Sequence, residues 1–170
     1  MARAVPERIL AAVGSLDLRP DARVLEVGCG TGVAAELVCR LVPEGHVTAL
    51  DRSATAVAHA EQRLARWCEA GVADVAERDL AAFHGDGRPY DVVLAINVNT
   101  FWTGPATEEL ARLDELLTGD GAVHLWFEAP PGGDAASAGA AARDALDAGG
   151  FDAGLETVGA LAHVTGRRRR

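Results

Sequence analysis

The chain has 170 residues, 49% of them hydrophobic, and a formal net charge of −9. That length allows one domain with a sizeable core and leaves little room for a second, and the acidic balance argues against a nucleic-acid-binding surface. All 16 basic side chains are arginine, and with so much alanine and glycine this reads as the compositional bias of a GC-rich bacterial genome. Cys29, Cys39 and Cys68 are odd in number and lack C-x-x-C spacing, which points to neither a disulfide framework nor a zinc site. Met1 to Leu10 lacks the apolar core of a signal peptide, and no apolar run is long enough to span a bilayer. The expectation is a cytoplasmic chain with no membrane partner.

Taken in order, Pro6 suits a first helical position, with Ile9, Leu10 and Val13 at helical spacing and Gly14 as the stop, so residues 1–17 form an N-terminal helix. Arg23 to Val27 is a buried strand. Glycines 28, 30 and 32 follow, then a helix from near Thr31 whose apolar stripe is Val33, Leu37, Val38 and Leu41, closed by Pro43 and Gly45. His46 to Leu50 is a second strand, ending at Asp51. Ser53 caps the next helix, through about Trp67, with Val57, Leu64 and Cys68 facing inward. Val72 to Glu77 is a third strand, and Tyr90 to Ile96 reads as one covered on both faces. Pro105 opens a helix with Leu110, Leu113 and Leu117 on one face. Gly119-Asp120-Gly121 turns into a fifth strand, Ala122 to Glu128. Pro130 to Gly139 is small and flexible, a mobile lid or a plain linker; Ala140 to Ala148 is helical by alanine content. Phe151 to Val158 and Ala160 to Thr165 form a hairpin turning near Gly159. Strands alternating with helices imply βαβ units, an α/β domain and a parallel sheet. The run Arg167 to Arg170 reads as a solvated tail.

Glycine at every second position lets a backbone approach a ligand closely, and the loop N–H groups with the following helix N-terminus suit a polar or anionic group. The spacing selects among ligands. A dinucleotide fingerprint, G-x-G-x-x-G, would place a glycine at position 33, where this chain has Val33. Instead Glu26 precedes glycines 28, 30 and 32, and Leu25-Glu26-Val27-Gly28-Cys29-Gly30-Thr31-Gly32 resembles motif I of the class I S-adenosylmethionine-dependent methyltransferases. The resemblance covers residues 18–166. It implies a Rossmann-like sheet of seven strands, five parallel plus a C-terminal hairpin whose last strand is antiparallel, with helices on both faces. It also implies S-adenosyl-L-methionine as cofactor, S-adenosyl-L-homocysteine as product, and cofactor contacts from Glu26, Gly28, Cys29, Gly30 and Gly32.

Asp51 stands 19 residues beyond Gly32, where a carboxylate accepts both hydroxyls of a ribose. By the same resemblance Arg52 packs near the adenine, Asp79 accepts from its amino group, and the Leu80 N–H faces the ring. Ligands of open α/β sheets bind outside strand carboxyl ends where strand order reverses, which in the resembled fold sets Gly28 opposite Asn97. Asn97 is thus expected by the cofactor, with Asn99, Phe101 and Trp102 lining the substrate pocket; the plain alternative is that the two aromatics anchor the next helix. An aromatic wall there could stabilise a cationic methylated amine or the sulfonium. Glu128, at the end of the fifth strand, could orient a substrate amine or act as a base, whereas His124 is a core residue. His59, His84 and His163 form no metal cluster. Ile96-Asn97-Val98-Asn99 departs from the Asn/Asp-Pro-Pro-Tyr/Phe pattern of enzymes that methylate nucleic-acid bases, so that activity loses support.

The expected activity is methyl transfer to a small-molecule or carrier-bound acceptor, with N, O, S or C open and no catalytic side chain named. A partner or regulatory subunit that binds the cofactor without methyl transfer is the alternative, and a NAD-dependent oxidoreductase the weaker one. With only a short segment before the core, the site is either open to a bulky acceptor or closed by a second copy of the chain in a homodimer.

Overall fold

Apolar strands and half-apolar helices alternate along this chain, and each buries its apolar side against a central sheet. The computed structural model describes residues 4–129 and 133–169. Its strands are β1 (Arg23–Val27), β2 (His46–Asp51), β3 (Ala73–Glu77), β4 (Tyr90–Ile96), β5 (Leu117–Glu128), β6 (Phe151–Val158) and β7 (Leu161–Arg168). They form one seven-stranded sheet in the order β3-β2-β1-β4-β5-β7-β6. The first five are parallel, and β7 runs antiparallel between β5 and β6. This is the expected methyltransferase-like topology. The chain winds outward from β1 to β3 and returns to β4 on the other side of β1, so strand order reverses between β1 and β4.

Successive strand residues point to opposite faces, which gives two cores. On one face Leu25, Val27, Val93 and Leu125 meet α5 (Thr107–Leu116) and α6 (Ala135–Ala148) through Leu110, Leu113, Ala142 and Leu146. On the other, Val24, Val47 and Leu94 meet α1 (Glu7–Gly14), α2 (Val33–Leu41) and α3 (Ala54–Glu69) through Val13, Val38 and Leu64. A short helix, α4 (Thr100–Thr103), follows β4. Ser53 caps α3 as expected, its hydroxyl oxygen accepting the Ala56 N–H at 3.3 Å. Among the described residues no helix is long and apolar enough to cross a membrane.

Several sequence expectations shift. Helix α2 starts at Val33, not Thr31, and buries Ala34, Ala35, Val38 and Cys39 while Leu41 is exposed. The small alanines let the helix sit close to the sheet, a choice that hydrophobicity alone does not register. Leu117 begins β5 instead of ending α5, and Gly119-Asp120-Gly121 lies within that strand, where pairing with β4 slips between Tyr90 and Val92. The lid or linker expected over 130–139 is helical from Ala135, because Asp134 caps α6 by accepting the Ala136 N–H at 2.9 Å; residues 130–132 lie outside the described residues.

The arginine tail is also corrected. Arg167 and Arg168 complete β7, Arg168 pairs with Asp114 at 2.7 Å, and Arg169 reaches Asp147 at 3.1 Å and Asp152 at 3.2 Å. A charge run does not reveal the acids that the fold sets beside it. His124 lies in the sheet as expected, with its Nδ1 3.0 Å from His163 Nε2, while His163 stacks on Trp126.

Candidate functional site

Strand β1 ends in a loop whose glycines 28, 30 and 32 all hold positive φ, at 69°, 54° and 75°. Gly28 is doubly constrained, because a Cβ there would lie 2.6 Å from Val98 Cγ2 in the loop after β4. The two loops that flank the strand-order reversal therefore touch through a glycine. Cys29 N–H donates to the Leu50 carbonyl at 2.8 Å, and Gly30 N–H donates to Asp51 Oδ2 at 2.9 Å. The other Asp51 oxygen accepts the Ser53 N–H at 2.9 Å. A side chain with both oxygens held by backbone donors presents its remaining lone pairs in a fixed direction.

Across the crevice, Asn97 adopts the left-handed conformation with φ 56°, which asparagine tolerates better than most residues. Its N–H donates to the Trp126 carbonyl at 2.8 Å, and its Oδ1 accepts the Glu128 N–H at 2.8 Å. The amide thus ties the end of β4 to the end of β5. Such strained backbone, held in place by its surroundings, clusters at ligand sites.

Between these loops lies a cleft of about 250 Å³. Its walls bring together six of the residues expected at a cofactor: Gly28, Asp51, Arg52, Asp79, Leu80 and Asn97. Val27 and Ile96 add apolar surface. Asp79 is oriented by accepting the Ala81 N–H at 3.1 Å, which also starts a 3₁₀ turn over Leu80–Ala82. A second cavity of about 660 Å³ adjoins the first and shares Asn97 and Asn99 with it. A third, about 930 Å³, lies among α1, α2 and α3 and is lined by Pro6, Arg8, Thr31, His59 and Arg63.

The remaining expected residues divide. Glu26 is only 3% exposed and lies beneath the loop, outside the cleft lining. Desolvation pushes its carboxyl up to about 8, against the pull of the Ala35 N–H and with a further rise from Asp51. Cys29 is buried, its thiol pushed up to about 12 by desolvation first and then by Glu26 and Asp51. Cys29, Gly30 and Gly32 do not line the cleft either; Gly30 reaches it through Asp51. Asn99 lines both cavities, and Trp102 and Glu128 line the second. Phe101 is 1% exposed and packs in the core with Leu25 and Leu113, contributing only to the cleft wall. The neighbouring Trp102 is 38% exposed. The helical turn of α4 sends one aromatic inward and the next outward, so Phe101 packs α4 onto the core while Trp102 lines a cavity.

Sequence reading missed Arg78 and Glu109 in the cleft, and Phe127, Asp134 and Ser137 in the second cavity. Arg78 adjoins Asp79 and could have been found by position, and Asp134 by its capping pattern. Nothing local marks Glu109, which α5 brings from a distant part of the chain. Among the described residues no group of His, Cys, Asp and Glu could hold a metal ion.

Comparison with known proteins agrees with this geometry. A family model described as a methyltransferase domain matches residues 25–123, more than half of the chain. A protein-L-isoaspartate O-methyltransferase of Pyrococcus horikoshii is 30% identical over 130 residues, 72% of this chain and 55% of that protein. A malonyl-[acyl-carrier protein] O-methyltransferase of Bacillus anthracis is 31% identical over 118 residues, 64% of this chain and 40% of that protein. The chain thus spans about half, or less, of the length of these curated relatives. Among solved structures, a SAM-dependent methyltransferase from Aquifex aeolicus superposes with a TM-score of 0.74 at 17% identity, over 94% of this chain and 87% of that one. A precorrin-6y C5,15-methyltransferase from Geobacter metallireducens gives 0.72 at 17% identity, over 95% and 87%. Identities this low speak for the fold alone. Sheet order, loop geometry and family match converge on one conclusion: the chain belongs to the methyltransferase-domain family.

Proposed function

We propose that this protein is an S-adenosyl-L-methionine-dependent methyltransferase acting on a small-molecule or carrier-bound acceptor, and not on nucleic acid. The observation that carries the reading is the shared cleft of Asp51, Asp79, Leu80 and Asn97 at the strand-order reversal. The donor set fits a nucleoside. A fixed carboxylate suits the ribose diol, a second suits an exocyclic amino group, and Val27, Leu80 and Ile96 offer apolar surface to a flat base. Asp51 would hold the ribose, Asp79 and Leu80 the adenine, with Arg52 beside it, and Gly28 and Asn97 the amino-acid end. Glu26 supports the loop from beneath, and Cys29, Gly30 and Gly32 shape it.

When bound, the cofactor supplies a methyl group already activated by its sulfonium. What remains for the chain is to hold the nucleophile in line and keep water away, so proximity and orientation dominate. Asn97 and Asn99 border both cavities and would align the two ligands. A dedicated base is needed only if the acceptor must lose a proton to react.

The test is calorimetric titration of the purified chain with S-adenosyl-L-homocysteine, S-adenosyl-L-methionine and NADH in parallel. Micromolar binding of the two sulfur nucleosides without NADH is expected. Binding of NADH alone, or of none, overturns the reading.

A further inference from the structure

The second cavity is charged on one side of zero only. Its ionisable lining residues are Glu128 and Asp134, both acidic, and no arginine or histidine lines it among the described residues. Its other walls include Trp102, Phe127, Asn97 and Asn99. Lysine is absent from the chain altogether. Both carboxylates are held by partners. Arg8 Nη1 donates to Glu128 Oε2 at 2.9 Å from the side of α1, and Asp134 accepts the Ala136 N–H at 2.9 Å and the Ser137 hydroxyl at 3.2 Å. Arg8 itself lines the separate cavity among α1, α2 and α3.

Resting on the cofactor reading above, we propose that this cavity binds an organic amine, entering as an ammonium on an apolar body, as the methyl acceptor. A carboxylate or phosphate group would meet the Asp134 carboxylate and a Glu128 whose charge is already shared with Arg8, and among the described residues no arginine or histidine lines the cavity to bind it. An ammonium meets Asp134, the Glu128 oxygen that Arg8 does not hold, and a half-exposed indole of the kind that attracts cations through its quadrupole. Phe127 and the alanines at the start of α6 cover the apolar body. The acceptor lies next to the cofactor cleft because Asn97 and Asn99 are the common wall. Methyl transfer then balances simply. One C–N bond forms, and one C–S bond breaks with its electron pair left on sulfur. One proton passes from the ammonium to the Glu128 carboxylate and on to water, and the product leaves as a cation.

The experiment compares three ligands that share one apolar body: phenethylamine, phenethyl alcohol and 3-phenylpropionate. Each is titrated by NMR into the full chain, alone and with S-adenosyl-L-homocysteine. The amine is expected to bind about tenfold or more tightly than the alcohol, a difference readily resolved by titration, and the acid not to saturate. Glu128→Gln combined with Asp134→Asn keeps shape and helix cap and should erase the amine preference while sparing S-adenosyl-L-homocysteine binding. Trp102→Leu should weaken the amine more than the alcohol. Equal or better binding of alcohol or acid, or an amine preference that survives the double substitution, overturns the proposal. With S-adenosyl-L-methionine supplied, a base-labile methyl ester from the acid would also overturn it. Failure of S-adenosyl-L-homocysteine to bind strikes the cofactor reading instead, and the series on the chain alone still reports on the cavity.

Discussion

The Asp51 carboxylate clamps the glycine loop to β2, its Oδ2 accepting the Gly30 N–H at 2.9 Å. One side chain at a strand end therefore both shapes the loop and faces the cleft. Asp51→Ala removes that bond, the bond from Ser53 N–H, and the acceptor proposed for the ribose. Hydrogen bonds to charged groups contribute about 1.5–3 kcal/mol each, so S-adenosyl-L-homocysteine affinity should fall by roughly 100-fold, with a loss of folding stability of at least similar size. Calorimetry and a urea melt on the same variant separate the two effects. Unchanged affinity would remove Asp51 from the ligand site.

Gly28→Ala faces two separate obstacles, a φ of 69° and a Cβ 2.6 Å from Val98 Cγ2. Left-handed backbone costs a non-glycine residue roughly 1–2 kcal/mol. Val98→Ala should relieve the collision but not the backbone strain. In a double-mutant cycle read by denaturation, Gly28→Ala should therefore cost less in the Val98→Ala background while remaining destabilising. Strict additivity would show that the two loops do not press on each other.

Adjacent aromatics should behave oppositely. Phe101 is 1% exposed, and Phe101→Ala should destabilise the fold by about 3–5 kcal/mol, as buried phenylalanine truncations do. Trp102 is 38% exposed and lines the second cavity, so Trp102→Ala should leave the melt within about 1 kcal/mol. It should spare S-adenosyl-L-homocysteine binding and lower acceptor turnover. A large stability loss from Trp102→Ala would move that side chain into the core.

A buried carboxyl and a half-buried imidazole set an unusual dependence of stability on pH. Burial raises the Glu26 carboxyl from 4.5 to about 8, so the folded chain holds a proton that the unfolded chain has lost. Its contribution therefore declines from about pH 4.5 to about 8. His124 is lowered from 6.5 to about 4, by desolvation first and then by His163 and Arg167. The folded chain lacks that proton, and the contribution rises from about pH 4 to about 6.5. The two slopes oppose each other below pH 6.5, leaving a net fall between about 6.5 and 8. Glu26→Gln should remove that fall and reveal the rise due to His124 in chemical denaturation at stepped pH. A stability decline between pH 6.5 and 8 that persists in Glu26→Gln would assign it to another group.

Sequence alone determined the frame. Alternating apolar strands and helices, a glycine loop after the first strand, and carboxylates after the second and third were enough for an α/β domain with a parallel sheet, while the hairpin and the reversal point came from the resemblance those motifs carry. These are short-range signals, since strand period, capping and glycine spacing act within a few residues. Tertiary structure decided which side of each element meets what. It buried Glu26 beneath the loop because the inner face of β1 lies against α2. It turned Phe101 inward and Trp102 outward because α4 is a single helical turn on the core. It extended α6 to Ala135, paired Arg168 with Asp114 and Arg169 with Asp147 and Asp152, and gathered Glu128 and Asp134 around one cavity. A residue's own neighbourhood in sequence fixes its backbone, but its charge environment and burial depend on segments brought from elsewhere in the chain.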